Sequence, residues 1–454
     1  MPSLIIDNAD RLEREIGLAR KAGTDLRDAV AGQRAADIAR VLDRLPSADR
    51  DAVFAALDRP VAARVLRDAA ADTTEALVAA MDHAAVASLL DLLPMDEAAR
   101  ILSDDIPQRA ESLLTAMEPA NASEVKSLLA YPANSAGRLM TEQFATVEPS
   151  MTVEEAIAHV RSTHGRCETI TDLYHVDVDG RLQGVMSLRE LVVADPATRL
   201  SELLVTDVVS VLVDTDQEDV ARLVGRYDFL AIPVVDPKGR MLGVITVDDV
   251  IDVLVRAGGE DLLRLGGIEG GALNQPYFSI PLWRVVRKRI GWLLLLFVAE
   301  TATGTVLRSF EGELAQVVAL SFFIPLLIGT GGNTGAQTVS TLIRGLALSE
   351  VKLKDTGRVL RRELMGGLAI GLLLGTFGFF RALLWHSGGK LSLVIALTLV
   401  AICIWANVVG ALIPLVATKF KIDPAVVSAP LITTLVDATG LAIYLLIAKA
   451  ILGL

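Results

Sequence analysis

The chain has 454 residues, 55 acidic and 43 basic side chains, and a mean hydropathy of +0.48, which is high for a soluble protein. Its net charge of −12 argues against nucleic acid as a partner, because phosphates repel an acidic surface. The two cysteines lie far apart and neither has a C-x-x-C partner, which argues against a disulfide framework or a zinc site.

Residues 1–135 predict an acidic, all-α N-domain. They are rich in Ala, Leu, Asp and Arg with helical periodicity, and the pair Leu45-Pro46 recurs 48 residues later as Leu93-Pro94. Each pair follows an apolar helical run, and an acidic residue three positions on suits the first turn of the next helix. The repeat predicts stacked helix pairs in a superhelical domain. The N-terminus lacks the basic and apolar regions of a signal peptide, so we expect it in the cytoplasm.

Residues 136–255 predict an α/β region built from two copies of one unit. Short β-branched runs alternate with amphipathic helical stretches, and residues 179–192 match residues 238–251 at an offset of 59. The order helix, strand, strand, helix, found twice, resembles a pair of CBS domains over about 136–200 and 201–255. Such pairs commonly regulate the protein that carries them, often by binding adenosine nucleotides.

The ribose signature of nucleotide-binding CBS domains, G-x-x-[ST]-x-x-D, is complete in the second repeat at Gly243, Thr246 and Asp249. The first repeat has Glu190 in place of Asp, and no clear aromatic platform for adenine precedes it. The resemblance implies ATP as a candidate cofactor at Thr246 and Asp249, and a CBS pair without nucleotide is the alternative.

Five long apolar segments predict an all-α transmembrane domain of five helices over 285–454. Each segment can span the roughly 30 Å hydrocarbon core, and the segments are 290–307, 314–342, 364–385, 391–417 and 425–452. Charge divides the chain at the same place, with a net charge of −20 before residue 284 and +8 after it. Twelve basic residues precede the first segment or lie in the loops after the second and fourth segments, whereas the other two loops hold three. Basic residues favour the cytoplasmic side, so this bias predicts a multi-pass cell-membrane protein with a cytoplasmic N-terminus and an external C-terminus.

Asp437 lies in the fifth segment with no Lys or Arg within a helical turn or two. Counting at ~1.5 Å per residue from the segment's start places it roughly 18 Å in, near the bilayer midplane. A carboxylate there is costly unless it faces water and a cation, so it predicts a cation ligand. A protonated Asp437 hydrogen-bonded to another helix is the alternative. Glu300, in the first segment, either lines the same path or bonds a neighbouring helix.

Glycines at positions 329, 331, 332 and 335 interrupt the second apolar segment, and Asn333 lies among them. Such an interruption frees carbonyl oxygens to face a cavity, and carbonyl, amide and carboxylate oxygens are the ligands of hard cations such as Mg²⁺. A packing seam of small residues is the alternative. We interpret Asn407, in the fourth segment, as a packing residue.

An acidic helical N-domain, a CBS pair and five spans together resemble the MgtE family of Mg²⁺ transporters and channels, most specifically in residues 325–337 and 423–445. The resemblance implies a homodimer whose pore holds a hydrated Mg²⁺ between two copies of Asp437, helped by the Asn333 amide and by backbone oxygens near Gly329 and Thr433. It also implies that internal Mg²⁺ closes the pore by bridging acidic groups of the cytosolic domains. The residues at matching regulatory positions are Asp228, Asp249, Asp252, Glu260 and Asp423, and Asp91 and Asp96 are N-domain candidates.

Two features depart from the family pattern. Ala429 stands where some relatives carry Asn, which reduces the expected number of side-chain contacts to the ion. The connecting (plug) helix predicted over 256–284 is less acidic than expected and contains Gly258-Gly259, which weakens a helix.

Two other functions compete with Mg²⁺ transport. A transporter of other divalent cations (Co²⁺, Mn²⁺ or Zn²⁺), coupled to another ion, is less favoured because the membrane half has no Cys or His cluster for soft metals. The second competing function is that of a membrane sensor regulated by its CBS pair. No H-E-x-x-H, P-loop or Ser/His/Asp arrangement is evident, so we predict that the chain is not an enzyme.

Overall fold

The computed structural model describes residues 8–268, 280, 282–348, 350–423 and 428–454. The described chain divides into two compact units, one ending at Ala257 and the other beginning at Gly258. Part of the predicted connecting helix over 256–284 lies outside the described residues.

The first unit begins with an all-α N-domain, as predicted. Its helices are short, because prolines and short turns end one helix and start the next. They are α1 (Asn8–Ala22), α2 (Leu26–Val30), α3 (Ala35–Leu42), α4 (Ser47–Ala55), α5 (Arg59–Asp68), α6 (Ala71–Ala79), α7 (His83–Leu90), α8 (Met95–Arg100), α9 (Ala110–Ala116) and α10 (Pro119–Leu129).

The 48-residue repeat reappears in the way aspartates join these helices. Asp43 follows α3 and accepts a hydrogen bond from the N–H of Ala70, 3.0 Å away, where α6 begins. Asp91 follows α7 and accepts one from the N–H of Glu118, 3.2 Å away, where α10 begins. Each carboxylate therefore caps a helix that starts later in its repeat.

The CBS pair follows, and its two repeats share one topology. Each sheet has three strands, the first parallel to the second and the second antiparallel to the third. Tyr174 pairs with Val185, and 59 residues later Pro233 pairs with Val244. The strands are β1 (Phe144–Thr146), β2 (Thr169–Val176), β3 (Leu182–Ser187), β4 (Val211–Leu212), β5 (Ala231–Val235) and β6 (Met241–Thr246), and the helices are α11 (Ala136–Leu139), α12 (Val153–Thr163), α13 (Leu188–Val193), α14 (Gln217–Tyr227) and α15 (Val247–Leu265).

The N-domain and the second CBS repeat share one hydrophobic core. The same cluster of buried side chains runs from Ala9 through Leu90 to Ile245 and Val253, whereas the first repeat has a cluster of its own. Gly243 of β6 has no room for a side chain, because a β-carbon there would stand 2.4 Å from the carbonyl oxygen of Thr141. This glycine of the nucleotide signature therefore also has a packing role.

Five helices of the second unit, among the described residues, are long and apolar enough to cross a membrane, as predicted. These are α16 (Leu282–Ser309), α18 (Ile324–Ala347), α19 (Thr356–Leu384), α20 (Gly389–Lys419) and α21 (Ala429–Leu452). A short helix, α17 (Glu311–Gln316), and a 3₁₀ turn over Val318–Phe323 connect α16 to α18.

Helix α20 is the centre of the membrane unit, since α18, α19 and α21 all pack on it. Glycines bring α19 and α20 into backbone contact. A β-carbon on Gly371 would stand 2.7 Å from Cα of Val400, and one on Gly375 would stand 2.8 Å from the carbonyl oxygen of Ala396. Small residues thus let two spans approach closely, as is common in membranes.

The interruption expected from the glycines at 329–335 is wrong, because helix α18 continues through them. Gly258-Gly259, expected to weaken the connecting helix, lies inside α15, which continues to Leu265. Glycine weakens a helix by only about 1 kcal/mol, and close packing of α18 offsets that cost. Helix α15 ends instead at Gly266-Gly267, where Gly267 has a positive φ of 72°.

Candidate functional site

Asp437 lies on the face of α21 that packs on α18. Thr433 is one turn earlier on the same face, and both side chains border Gly332. A β-carbon built on Gly332 would stand 3.4 Å from Oδ1 of Asp437 and 3.2 Å from Cγ2 of Thr433. The neighbouring Gly331 faces Ile402 and Val436 instead. Gly331 therefore fits the packing alternative, and Gly332 leaves room beside the carboxylate.

The surroundings of Asp437 are negative. Among the described residues, no Lys or Arg pairs with its carboxylate and no group donates a hydrogen bond to it. Glu300 of α16 lies close enough for the two negative charges to interact. A half-buried carboxylate with an acidic neighbour and no counter-ion is the electrostatic signature of a cation site.

The depth of Asp437 differs from the sequence estimate. The described helix begins at Ala429, and residues 424–427, which the prediction included in the span, lie outside the described residues. Asp437 is therefore roughly 12 Å into a helix roughly 36 Å long, at ~1.5 Å per residue. It lies about a third of the way along α21, on the N-terminal side of the middle of the helix.

Gly329 and Asn333 lie one turn apart on α18, and both are exposed in the single chain. Nothing lies within 4 Å of where a β-carbon of Gly329 would stand. The hydroxyl of Thr433 donates to the carbonyl oxygen of Pro430, 2.8 Å away, which leaves its lone pairs free to accept. The oxygens and amide predicted to complete the site are thus beside Asp437 or on an uncovered face of α18.

A polar network inside the membrane unit was missed from the sequence. The Thr338 hydroxyl of α18 donates to Oδ1 of Asn407 in α20, 3.1 Å away, and Nδ2 of Asn407 donates to Oε2 of Glu363 in α19, 3.2 Å away. Asn407 was interpreted as a packing residue, and Glu363 directly precedes the segment predicted to span. The network ties α18, α19 and α20 together.

A second acidic site lies in the first unit. One carboxylate oxygen each of Asp96, Glu168 and Asp249 lies within 4.8 Å of the others. Asp96 comes from α8 of the N-domain, Glu168 directly precedes β2 of the first CBS repeat, and Asp249 begins α15 of the second. We call these three residues the acidic cluster.

The acidic cluster has the chemistry of a divalent-cation site. Asp96 is 5% exposed, and its Oδ1 accepts no hydrogen bond from the described residues. A cavity of about 40 Å³ adjoins Asp96 and Asp249, which is room for an ion or a few waters. Its wall also holds the basic side chains of Arg100, Arg138 and Arg256. Three carboxylates from three parts of the unit form an oxygen donor set that Mg²⁺ prefers.

Burial and neighbouring acidic groups raise the pKa of each of these three carboxyls. Burial, followed by the charges of Glu168 and Asp249, raises the pKa of Asp96 well above its ordinary value. Burial, followed by nearby acids, raises the pKa of Glu168 and takes that of Asp249 to about 7, although a hydrogen bond from Thr246 opposes the shift on Asp249. A bound dication would relieve the repulsion and displace the protons.

The other N-domain and CBS candidates lie apart from the acidic cluster. The Asp91 carboxylate accepts hydrogen bonds from the N–H of Glu118 and from Nδ2 of Asn121, 2.9 Å away. Asp228 is exposed at the C-cap of α14 with a positive φ of 56°. Asp252 is exposed and lines the cavity beside the cluster.

The remaining two regulatory candidates meet in the second unit. Arg264, in the last turn of α15, pairs with Asp423, which lies in the segment before α21, and with Oε2 of Glu260 at 3.2 Å. Burial, followed by the charge of Asp423, raises the pKa of the adjacent Asp261. Arg264 thus pairs with two of the carboxylates that were predicted as regulatory Mg²⁺ ligands.

The nucleotide candidates bond to each other. Thr246 Oγ1 donates to Oδ2 of Asp249 at 2.6 Å, where α15 begins. Ser187 and Glu190, at the matching positions of the first repeat, form a capping box at the start of α13. The signature therefore has a helix-capping role in this chain.

Comparison with known sequences identifies the family. The sequence model of the MgtE divalent cation transporters matches residues 324–447, that of the MgtE intracellular N domain matches residues 33–134, and that of the CBS domain matches residues 136–196 and 200–256. The magnesium transporter MgtE of Thermus thermophilus is 40% identical over 331 residues, which is 73% of each chain. The chain belongs to the MgtE family.

Other relatives support the same family assignment. The magnesium transporter MgtE of Bacillus subtilis is 34% identical over 73% of this chain and 72% of its own. The crystal structure of the cytosolic domain of the Mg²⁺ channel MgtE in complex with ATP has a TM-score of 0.51 at 36% identity, and it covers 53% of this chain and 99% of that one. MgtE membership and the five apolar helices make the chain a multi-pass membrane protein.

Proposed function

We propose that this MgtE protein carries Mg²⁺ across the cell membrane through a pore that two copies form around their Asp437 side chains. The observation that carries the proposal is a half-buried membrane carboxylate beside Gly332, with an acidic neighbour and no basic partner among the described residues. A cation must neutralise that charge for it to remain ionised in a membrane.

Two copies suit a dication better than one. A single chain supplies one Asp437, while Asn333 and Gly329 lie on a face of α18 that it leaves uncovered. A second copy on that face would bring in a second carboxylate and amide. Two carboxylates match the charge of Mg²⁺ without stripping its waters, which this ion gives up reluctantly.

Internal Mg²⁺ closes this pore in our proposal, and the acidic cluster is its sensor. Asp96, Glu168 and Asp249 join the N-domain to both CBS repeats, so an ion among them holds the three parts together. Without the ion, like charges favour separation. Mg²⁺ then shifts the population toward the compact, closed form, because it binds that form better.

The same proposal keeps the N-terminus in the cytoplasm and the C-terminus outside, on the basis of the twelve basic residues on one side. It assigns no enzymatic activity. ATP, which is bound to the related cytosolic domain in its crystal structure, would use Thr246 and Asp249 in this chain. Since Asp249 belongs to the acidic cluster, ATP and Mg²⁺ would share that residue.

Ion flux into liposomes tests the function. Purified protein should admit Mg²⁺ down its gradient in preference to Co²⁺, Mn²⁺, Zn²⁺ and Ca²⁺, without a pH gradient. Flux of another divalent cation exceeding that of Mg²⁺, or flux that requires a proton gradient, would favour the coupled transporter instead.

A further inference from the structure

An open groove separates α18 from α19 at one end of the membrane unit. Both helices pack on α20 and hardly touch each other. At the end where α19 finishes, the gap has a volume of about 440 Å³, with Leu399 of α20 on its floor. Most of the lining side chains are aromatic or aliphatic, including Phe322, Leu326, Leu374 and Phe377.

The opposite end of the same gap is closed. There the hydrogen-bonded network of Thr338, Asn407 and Glu363 bridges α18, α20 and α19. The groove therefore belongs to one membrane surface only, the surface opposite the basic loop between α18 and α19.

A single basic side chain among the described residues, that of Arg381, lies at the mouth of the groove. The Arg381 guanidinium lies 4.0 Å from the ring centre of Trp385, in the last turn of α19. Within the described part of the chain it pairs with no carboxylate, and Glu313, an acid of the loop helix α17 that joins α16 to α18, pairs with Lys449 at 2.7 Å. Trp and Arg at the end of a spanning helix mark the level of the lipid headgroups.

We propose that this groove binds a phospholipid, with an acyl chain against the aromatic wall and the phosphate on Arg381. Apolar walls exclude water, so hydrocarbon fills a groove that opens toward the bilayer. The planar guanidinium matches a phosphate in charge and in bidentate geometry, and its stacking on Trp385 holds it ready. An anionic headgroup is preferred over a zwitterionic one, because the site carries one uncompensated positive charge.

Native mass spectrometry of the full-length protein tests the assignment. Wild-type protein should retain phosphatidylglycerol over phosphatidylcholine, and Arg381→Gln should weaken phosphatidylglycerol binding about fivefold, as expected for one basic contact at a membrane surface. Arg381→Lys should keep part of the binding. Arg308→Gln, which removes another basic residue from the same membrane side, should bind like wild type. Equal phosphatidylglycerol binding by wild type and Arg381→Gln would overturn the assignment.

A second measurement distinguishes lipid from a second copy of the chain. Phe377 is 73% exposed in the groove wall. Replaced by the photoreactive p-benzoylphenylalanine, residue 377 should crosslink on irradiation to phospholipid in the assembled protein. Crosslinking to a second copy of the chain instead of phospholipid would place a protein surface in the groove and overturn the lipid assignment.

Discussion

Gly332 of α18 lies beside Asp437 of α21 across a helix interface, with 3.4 Å between a β-carbon built on the glycine and Oδ1 of the aspartate. An added methyl group would fill the space beside Asp437 and crowd Thr433, whose Cγ2 would stand 3.2 Å away. About 1 kcal/mol of crowding reduces occupancy of the productive geometry roughly fivefold. Gly332→Ala should therefore lower Mg²⁺ flux in liposomes about fivefold while the protein stays monodisperse.

Two other glycines provide the comparison. Gly304→Ala places a methyl group where nothing lies within 4 Å, so its flux should match wild type. Gly331→Ala would meet Ile402 Cγ2 at 2.5 Å and should lower the yield of folded protein. Equal flux from Gly332→Ala and Gly304→Ala would show that the space beside Asp437 is not used.

The acidic cluster makes stability depend on pH when Mg²⁺ is absent. Because the folded pKa of Asp249 is raised from 3.8 to about 7, the folded protein holds a proton that the unfolded chain releases. This contribution is complete below about pH 4 and is lost as the pH rises to about 7. In EDTA, the melting temperature of a 1–268 fragment should fall across that range, and Mg²⁺ should restore it most at the upper end.

Asp249→Asn should reduce that pH dependence, to which Asp96 and Glu168 still contribute, and should remove the effect of Mg²⁺. Asp228→Asn, at an exposed position whose backbone suits Asn, is the control and should keep both. A wild-type melting temperature that rises from pH 5 to 7 in EDTA would be the opposite of what the raised pKa requires.

Asp91 and Asp96 lie five residues apart and should behave differently. Asp91→Ala removes a helix cap and should lower the free energy of unfolding of the 1–268 fragment by about 1 kcal/mol, with its Mg²⁺ response intact. Asp96→Ala should abolish the Mg²⁺ response. Calorimetry with and without Mg²⁺ separates the two effects. Loss of the Mg²⁺ response in Asp91→Ala, with the response of Asp96→Ala intact, would make Asp91 and not Asp96 the Mg²⁺ ligand.

Arg264 pairs with both Glu260 and Asp423. Arg264→Gln removes the guanidinium that these two acids share, so closure would depend more strongly on Mg²⁺. Patch recordings should show half-closure at a higher internal Mg²⁺ concentration. Arg189→Gln, at an exposed position of α13 outside both this ion pair and the cavity beside the acidic cluster, is the control. An unchanged or lower half-closing concentration in Arg264→Gln would argue against a role of this ion pair in closure.

Local sequence patterns predicted the domains, because each has its own periodicity. The five spans follow from apolar length, and the CBS sheets from a repeat whose registers match 59 residues apart. The interruption of α18 was predicted wrongly at positions 329–335, since glycine propensity is weak beside tertiary packing.

The sites were only partly predictable for a different reason. Asp437 could be found because an acid in an apolar helix is conspicuous, and Asp96 and Asp249 were already candidates. Glu168 carries no local motif, and only the fold brings it to Asp96 and Asp249. Glu363 stood just outside an apolar segment, so its bond to Asn407 required the packing of α19 on α20.

The most direct test of the pore is Mg²⁺ flux through Asp437→Asn, an isosteric change that removes one negative charge per chain. Wild type and Glu311→Gln, which alters an acid of the loop between α16 and α18, serve as references in the same liposomes. We predict that Asp437→Asn falls to the level of protein-free liposomes while Glu311→Gln stays close to wild type. Wild-type Mg²⁺ flux through a folded Asp437→Asn protein would contradict the account.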